Sequence, residues 1–216
     1  MDRTLSTYLV SQADRSNGRG TATVVREAIA GGIDAVQLRE KHASAIDRYE
    51  LGQNLYELTN EADIPLIVND RVDLAVALDA DGIHLGDGDL PIQVAREQLG
   101  EDTIVGRSVA TPEAARMAEA AGADYLGVGA VFATGTKDTR PSESAIGVDT
   151  VAAVADVVSI PVVAIGGITS ENAGRVAAAG ADGVAVVTTI TEADDPAAAT
   201  RELHEAVEAG HEGATQ

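Results

Sequence analysis

The chain has 216 residues, a formal net charge of −20, no cysteine, no tryptophan and a 45% hydrophobic share. That length fits one domain of barrel size, and the missing thiols exclude disulfides, thiol catalysis and thiolate metal sites. The charge argues against nucleic acid as a partner, and no run of about 18 apolar residues is present to span a membrane. The N-terminus lacks a basic segment followed by an apolar run, so a cytoplasmic location is expected. Acidic residues are spread through helical and turn segments and form no block that would mark an interaction tail. With Arg far outnumbering Lys, the composition is that of a halophilic-type surface. The only lysines are Lys41 and Lys137. A chain that avoids lysine elsewhere is expected to need an ammonium at those two places.

In chain order, short apolar runs predict strands at 8–10, 35–38, 66–69, 82–85, 103–105, 125–128, 162–165 and 183–187. Both faces read as buried, the pattern of parallel sheets. Helical patterns lie between them at 21–30, 44–61, 71–78, 91–99, 111–121, 147–157, 169–179 and 195–209. Thr111-Pro112 and Asp195-Pro196 read as N-cap followed by first-turn proline. One phrase recurs at 31–36, 79–84, 121–126 and 179–184, where a helix ends, an Asp follows and an apolar run begins. The recurrences lie roughly 43 to 58 residues apart. A βαβ crossover takes about 30 residues, so each interval holds two βα units and four phrases imply eight. The expected fold is an α/β single (β/α)8 TIM barrel of parallel strands over residues 1–216, with 210–216 as a frayed tail. The competing architecture, an open doubly wound sheet, leaves the fourfold phrase unexplained.

In such barrels chemistry sits where strands end. After the second strand come Gln37, Leu38, Arg39, Glu40 and Lys41. Alternation places Gln37, Arg39 and Lys41 on one side. The Arg fork and the Lys point charge suit phosphate oxygens, although a surface salt-bridge cluster with Glu40 would look the same. Asn69 and Asp70 follow the third strand, and Asp89 follows the fourth. Carboxylates at adjacent strand ends suit a shared Mg²⁺, which takes one or two carboxylates plus substrate phosphates. Helix capping is the competing reading of both aspartates. Ser108, after the fifth strand, is read as a phosphate donor or a capping serine. No His–acid pair is evident that would make it a nucleophile. His84 is read as a hydrogen-bonded core or rim residue. The long 129–146 loop holds Thr134, Gly135, Thr136 and Lys137, a plausible phosphate clamp. Gly166-Gly167 follows the seventh strand and Val187-Thr188 ends the eighth, the two loops that commonly hold phosphate in these barrels.

With these segments in order, the chain resembles the thiamine-phosphate synthase family, also called thiamine-phosphate pyrophosphorylase. The resemblance rests on Gln37-Leu38-Arg39-Glu40-Lys41, Asn69-Asp70, Gly82-Ile83-His84-Leu85-Gly86 with Asp89, Gly106-Arg107-Ser108, Thr134-Gly135-Thr136-Lys137, Ile165-Gly166-Gly167-Ile168 and the end of the eighth strand. It implies a cytoplasmic transferase that acts on two phosphorylated small molecules and leaves self-association open. Such an enzyme joins 4-amino-2-methyl-5-hydroxymethylpyrimidine diphosphate to 4-methyl-5-(2-phosphoethyl)thiazole and releases pyrophosphate. By the resemblance, Gln37, Leu38, Arg39, Glu40, Lys41, Asn69, Ser108 and Lys137 would hold the pyrimidine diphosphate. Thr134, Gly135, Thr136, Gly167, Val187 and Thr188 would hold the thiazole phosphate, and Asp70 and Asp89 the Mg²⁺. Arg39, Lys41, Ser108 and Lys137 would stabilise the leaving group without a covalent nucleophile. Ala133 and Thr188 depart from the family's usual Pro and Ser. The rival readings are a thiazole tautomerase, which would want a His shortly after Ser108 where Val109-Ala110 stand, and a non-catalytic phosphate-ligand sensor.

Overall fold

The computed structural model describes residues 5–134 and 145–214. Eight parallel strands close into a barrel in the order β1-β2-β3-β4-β5-β6-β7-β8. They are β1 (Thr7–Val10), β2 (Ala35–Leu38), β3 (Leu66–Asn69), β4 (Gly82–Leu85), β5 (Ile104–Val109), β6 (Tyr125–Gly129), β7 (Val162–Ile165) and β8 (Gly183–Val186). The helices are α1 (Thr21–Ala30), α2 (Ala45–Glu61), α3 (Val72–Leu78), α4 (Ile92–Leu99), α5 (Pro112–Ala120), α6 (Gly147–Ala155), α7 (Ser170–Ala178), the short α8 (Thr188–Thr191) and α9 (Pro196–Ala214). β1 and β8 pair directly, Thr7 against Val184, so the sheet has no free edge.

The period-two alternation of each strand sorts its side chains into two layers. One set, including Leu9, Val36, Leu66, Ile83, Leu126 and Val184, packs outward under the helices. The other set, with Tyr8, Val10, Ala35, Ile67, Tyr125, Val163 and Ala185, fills the barrel interior. Two interior glycines make room for rings. A Cβ on Gly106 would stand 2.2 Å from the Tyr125 ring, and one on Gly127 would stand 2.7 Å from His84 Cε1.

The recurring phrase has a structural cause. Its aspartates, Asp34, Asp81, Asp124 and Asp182, stand just before β2, β4, β6 and β8. Each carboxylate accepts a backbone N–H from the start of the preceding strand: Thr7 at 2.8 Å, Leu66 at 2.8 Å, Val105 at 2.7 Å and Val162 at 2.8 Å. The four side chains thus clasp the N-terminal ends of the strands in pairs. The proline starts also hold: Thr111 accepts from Ala114 N–H at 3.2 Å and Asp195 from Ala198 N–H at 2.9 Å.

Two expectations need correction, and one element is new. β5 runs through Ser108 to Val109 rather than ending at 105, because Gly106 and Ser108 are interior positions and not loop. α9 continues through Ala214 instead of fraying from 210. Gly210 is buried against Gly174 of α7, where a Cβ would stand 2.3 Å from the Gly174 carbonyl, and His211 Nε2 lies 2.8 Å from the Ala181 carbonyl oxygen. The short α8 was not foreseen, since four residues carry no readable period.

Candidate active site

The C-terminal ends of the strands surround a cavity of about 500 Å³, a size ordinary for a small-molecule site. β2 sends Gln37 and Arg39 into it. Arg39 is held in place by its N–H to Ser11 Oγ at 3.0 Å and by Nη1 to Gln12 Oε1 at 3.1 Å. The side chains of Leu38 and Glu40 point elsewhere and are not among the residues that line the cavity. Leu38 belongs to the layer under α2, where a Cβ on Gly52 would come within 3.1 Å of it. Glu40 is buried and spends both oxygens internally, accepting from Ala13 N–H at 2.8 Å and from Thr21 Oγ at 2.7 Å. It braces the β1–α1 connection and, among the described residues, joins no surface salt-bridge cluster.

Asn69 closes β3 on the cavity wall. Asp70 follows in the left-handed region at φ 63°, a conformation few residues other than glycine adopt. Asp89 Oδ2 accepts the Gly86 N–H at 2.6 Å. Arg107 braces the same loop through Gly86 O at 2.6 Å and Asp87 at 3.1 Å. The Asp70 and Asp89 carboxyls meet within hydrogen-bonding reach. Burial, then the bond to Asp89 and its charge, raise Asp70 above the ordinary carboxylate value, while the Lys41 ammonium and the Asn69 side chain pull it back. The structure therefore gathers Lys41, Asn69, Asp70 and Asp89 at one place on the rim. Neither aspartate caps a helix, since the N-cap residues of α3 and α4 are Arg71 and Pro91. Among the described residues no third acidic, His or Cys ligand joins the pair.

The opposite side of the cavity is built from backbone. Thr134, Gly167, Val187 and Thr188 line it. Gly167 has φ 65°, and a Cβ there would stand 2.7 Å from the Ala133 carbonyl, so a side chain at this point would push the β6 and β7 loops apart. Two ties join neighbouring loops, Phe132 N–H to Gly166 O at 2.9 Å and Thr189 Oγ to Ile168 O at 2.6 Å, and Asn172 Nδ2 to Gly167 O at 3.0 Å braces the β7 loop itself. Gly135, Thr136 and Lys137 lie outside the described residues.

The floor of the cavity holds what sequence reasoning missed. Ser108 is no helix cap, because it sits within β5, and it does have a histidine partner: His84 Nε2 lies 2.9 Å from Ser108 Oγ. The other ring nitrogen faces the Tyr125 hydroxyl at 2.9 Å. A nucleophile–base–acid triad needs a carboxylate to compensate an imidazolium. Here the third group is a phenol whose own ionisation burial opposes. The geometry can orient Ser108 as a hydrogen-bonding group but lacks the charge that would make it a nucleophile.

A deep rim site with paired carboxylates and cations on one side and glycine backbone on the other suits phosphorylated ligands. Residues 7–190 match the family model described as thiamine monophosphate synthase. The chain belongs to that family. It is a transferase of thiamine biosynthesis. A thiamine-phosphate synthase from Natronomonas pharaonis is 62% identical over 208 residues, covering 96% of this chain and 97% of the relative. One from Haloarcula marismortui is 63% identical over 204 residues, covering 94% and 97%. Among solved structures, a thiamine phosphate pyrophosphorylase from Pyrococcus furiosus superposes with a TM-score of 0.86 at 42% identity, covering 96% of this chain and 97% of that one. No helix among the described residues is long and apolar enough to cross a membrane.

Proposed function

We propose that the cavity binds the aminopyrimidine diphosphate against β2–β5 and the thiazole phosphate against β6–β8, and couples them with release of pyrophosphate. The observation that carries this reading is the division of the rim. Lys41, Arg39 and the Asp70–Asp89 pair stand on one side, and the backbone of Gly167, Val187 and Thr188 on the other.

The two carboxylates fit Mg²⁺, which takes one or two carboxylates and completes its shell with substrate phosphate and water. Asp70 is raised first by burial and then by Asp89, and a bound cation would offset both effects. Bound there, the ion would supply positive charge to the departing diphosphate.

The C–O bond between the pyrimidine methylene and the diphosphate breaks, and both electrons leave with pyrophosphate. The electron-rich ring stabilises the resulting cation, and the thiazole nitrogen donates its lone pair to form the new C–N bond. The protein neutralises charge and aligns the reactants. Arg39 and Lys41 face the growing negative charge, joined in this reading by Lys137, and Ser108 donates a hydrogen bond to the same group. The glycine-lined loops fix the thiazole phosphate, so that its ring reaches the methylene. No protein nucleophile is required. Purified protein given Mg²⁺ and both substrates, at several salt concentrations, should release pyrophosphate and form thiamine phosphate in equal amounts. Absence of product under every condition would overturn the proposal.

A further inference from the structure

Five polar side chains from five strands meet inside the barrel as one line. Gln37 Nε2 donates to the Tyr8 hydroxyl at 2.9 Å. The Tyr8 and Tyr125 hydroxyls lie 3.1 Å apart. Tyr125 reaches His84 Nδ1 at 2.9 Å, and His84 Nε2 reaches Ser108 Oγ at 2.9 Å. All five border the cavity. Of the five, Ser108 has a place in the reaction described above, and Gln37 is expected to hold the pyrimidine.

Counting protons limits what the line can do. Both phenols are fully buried, and desolvation holds them above the ordinary tyrosine value, so each hydroxyl keeps its proton. A neutral imidazole carries one donor and one acceptor. Two patterns satisfy every link. In the first, Gln37 donates to Tyr8, Tyr8 to Tyr125, Tyr125 to Nδ1, and Nε2–H to Ser108. Gln37 then turns its carbonyl to the cavity, and Ser108 has its own O–H free. In the second every bond reverses. Ser108 gives its O–H to Nε2, and Gln37 accepts from Tyr8 through its carbonyl and turns its NH2 to the cavity. A mixed pattern leaves a link unmade in the interior, where an unsatisfied polar group is costly.

We infer that the line couples recognition at Gln37 to the hydrogen-bonding sense of Ser108. The amino group of the pyrimidine, donated to the Gln37 carbonyl, selects the first pattern and turns Ser108 into a donor for the leaving diphosphate. A ring carrying an oxygen in place of the amino group selects the second pattern and leaves Ser108 without a proton to offer. Tyr8, Tyr125 and His84 are then positioning residues that act through Ser108, and selectivity for the amino group is expressed in turnover as well as in binding. The inference rests on the proposed reaction and its diphosphate substrate.

The wild-type test reads the His84 tautomer by ¹⁵N NMR, with the aminopyrimidine diphosphate and Mg²⁺ bound and the thiazole phosphate left out. The chain has four histidines, and a His84→Asn spectrum assigns the ring. The expected state is neutral, with Nε2 protonated. Protonation at Nδ1, or at both nitrogens, overturns the coupling, and this result stands even where Tyr125→Phe fails to fold. The second test compares kcat and KM for the amino and oxo pyrimidine diphosphates. The oxo ring also stabilises the cation less, so the wild type should favour the amino compound in kcat by that electronic factor multiplied by about tenfold for one hydrogen bond. Tyr125→Phe should lower the wild-type kcat ratio by about tenfold while the KM preference persists. A variant that keeps the wild-type kcat ratio overturns the line. A wild type that makes no thiamine phosphate from the natural pair sinks the proposed reaction instead, which separates the two failures.

Discussion

The two ends of the barrel use the same side chain to opposite effect. At the floor, Asp34, Asp81, Asp124 and Asp182 each meet backbone N–H donors and are satisfied within the protein. At the rim, Asp70 and Asp89 meet each other, and burial first, then Asp89, raises Asp70 above its ordinary value. Carboxylates supplied with donors hold the strands together. Carboxylates set against one another store an unmet demand for positive charge, which a ligand can meet. The floor is therefore the place to look for stability and the rim for chemistry.

The sharpest way to break that comparison is to remove a cation assigned to the rim. Lys137→Ala is expected to lower kcat by about 10² to 10³, the usual cost of one transition-state donor, with an unchanged unfolding midpoint. A loss of folding would move Lys137 to the structural side. A floor variant should behave the other way. Asp34→Ala strands the Thr7 N–H and hydroxyl that it accepts from at 2.8 and 2.9 Å. It should cost about 1–3 kcal/mol in chemical denaturation while leaving KM for both substrates alone. A shift in KM would show that the two ends are not independent.

Asp89→Asn carries both signs in one residue. It should raise the Mg²⁺ concentration needed for half-maximal activity, because a ligand charge is gone. Without metal it should stabilise the fold, because the repulsion on Asp70 is gone. The pH dependence follows from Asp70. Its folded value lies above the ordinary 3.8, so between the two values the folded protein holds more protons than the unfolded chain. Stability of the metal-free protein therefore falls as pH rises through that window, and the contribution is constant above it. Mg²⁺ needs the charged form, so its stabilising effect grows across the same window. Thermal melts with and without Mg²⁺ should diverge as pH rises there, and by less in Asp89→Asn. Parallel melts would remove Asp70 from the metal site.

The frame of the molecule was legible because its causes are local. Strand alternation, glycine stops and the fourfold aspartate phrase all act within a few residues, so β2, β3, β4 and β7 fall where the apolar runs place them. β5 was read short because Gly106 and Ser108 look like loop residues until Tyr125 is known to need the space beside Gly106. At the site, polar and glycine residues at strand ends were visible one strand at a time. Within the 37–41 segment, alternation already separates the side chains of Leu38 and Glu40 from those of Gln37 and Arg39. The line from Gln37 to Ser108 was invisible, since Tyr8 and Tyr125 touch across 117 positions. The scarcity of tyrosine was nonetheless a clue. Two of only four tyrosines stand in barrel strands, where a phenol must find a partner.

The floor clasps also bear on how the chain reaches its fold. Each joins residues only 15 to 27 positions apart, whereas pairing β1 with β8 brings together nearly the whole chain. Closing a short loop costs less entropy than closing a long one. Each quarter of the barrel, two strands and their aspartate, can thus fix its register at low entropic cost, and the meeting of the first and eighth strands is the costliest closure. The interior line between β2 and β5 crosses three quarters, so its proton order is settled only once those quarters have come together.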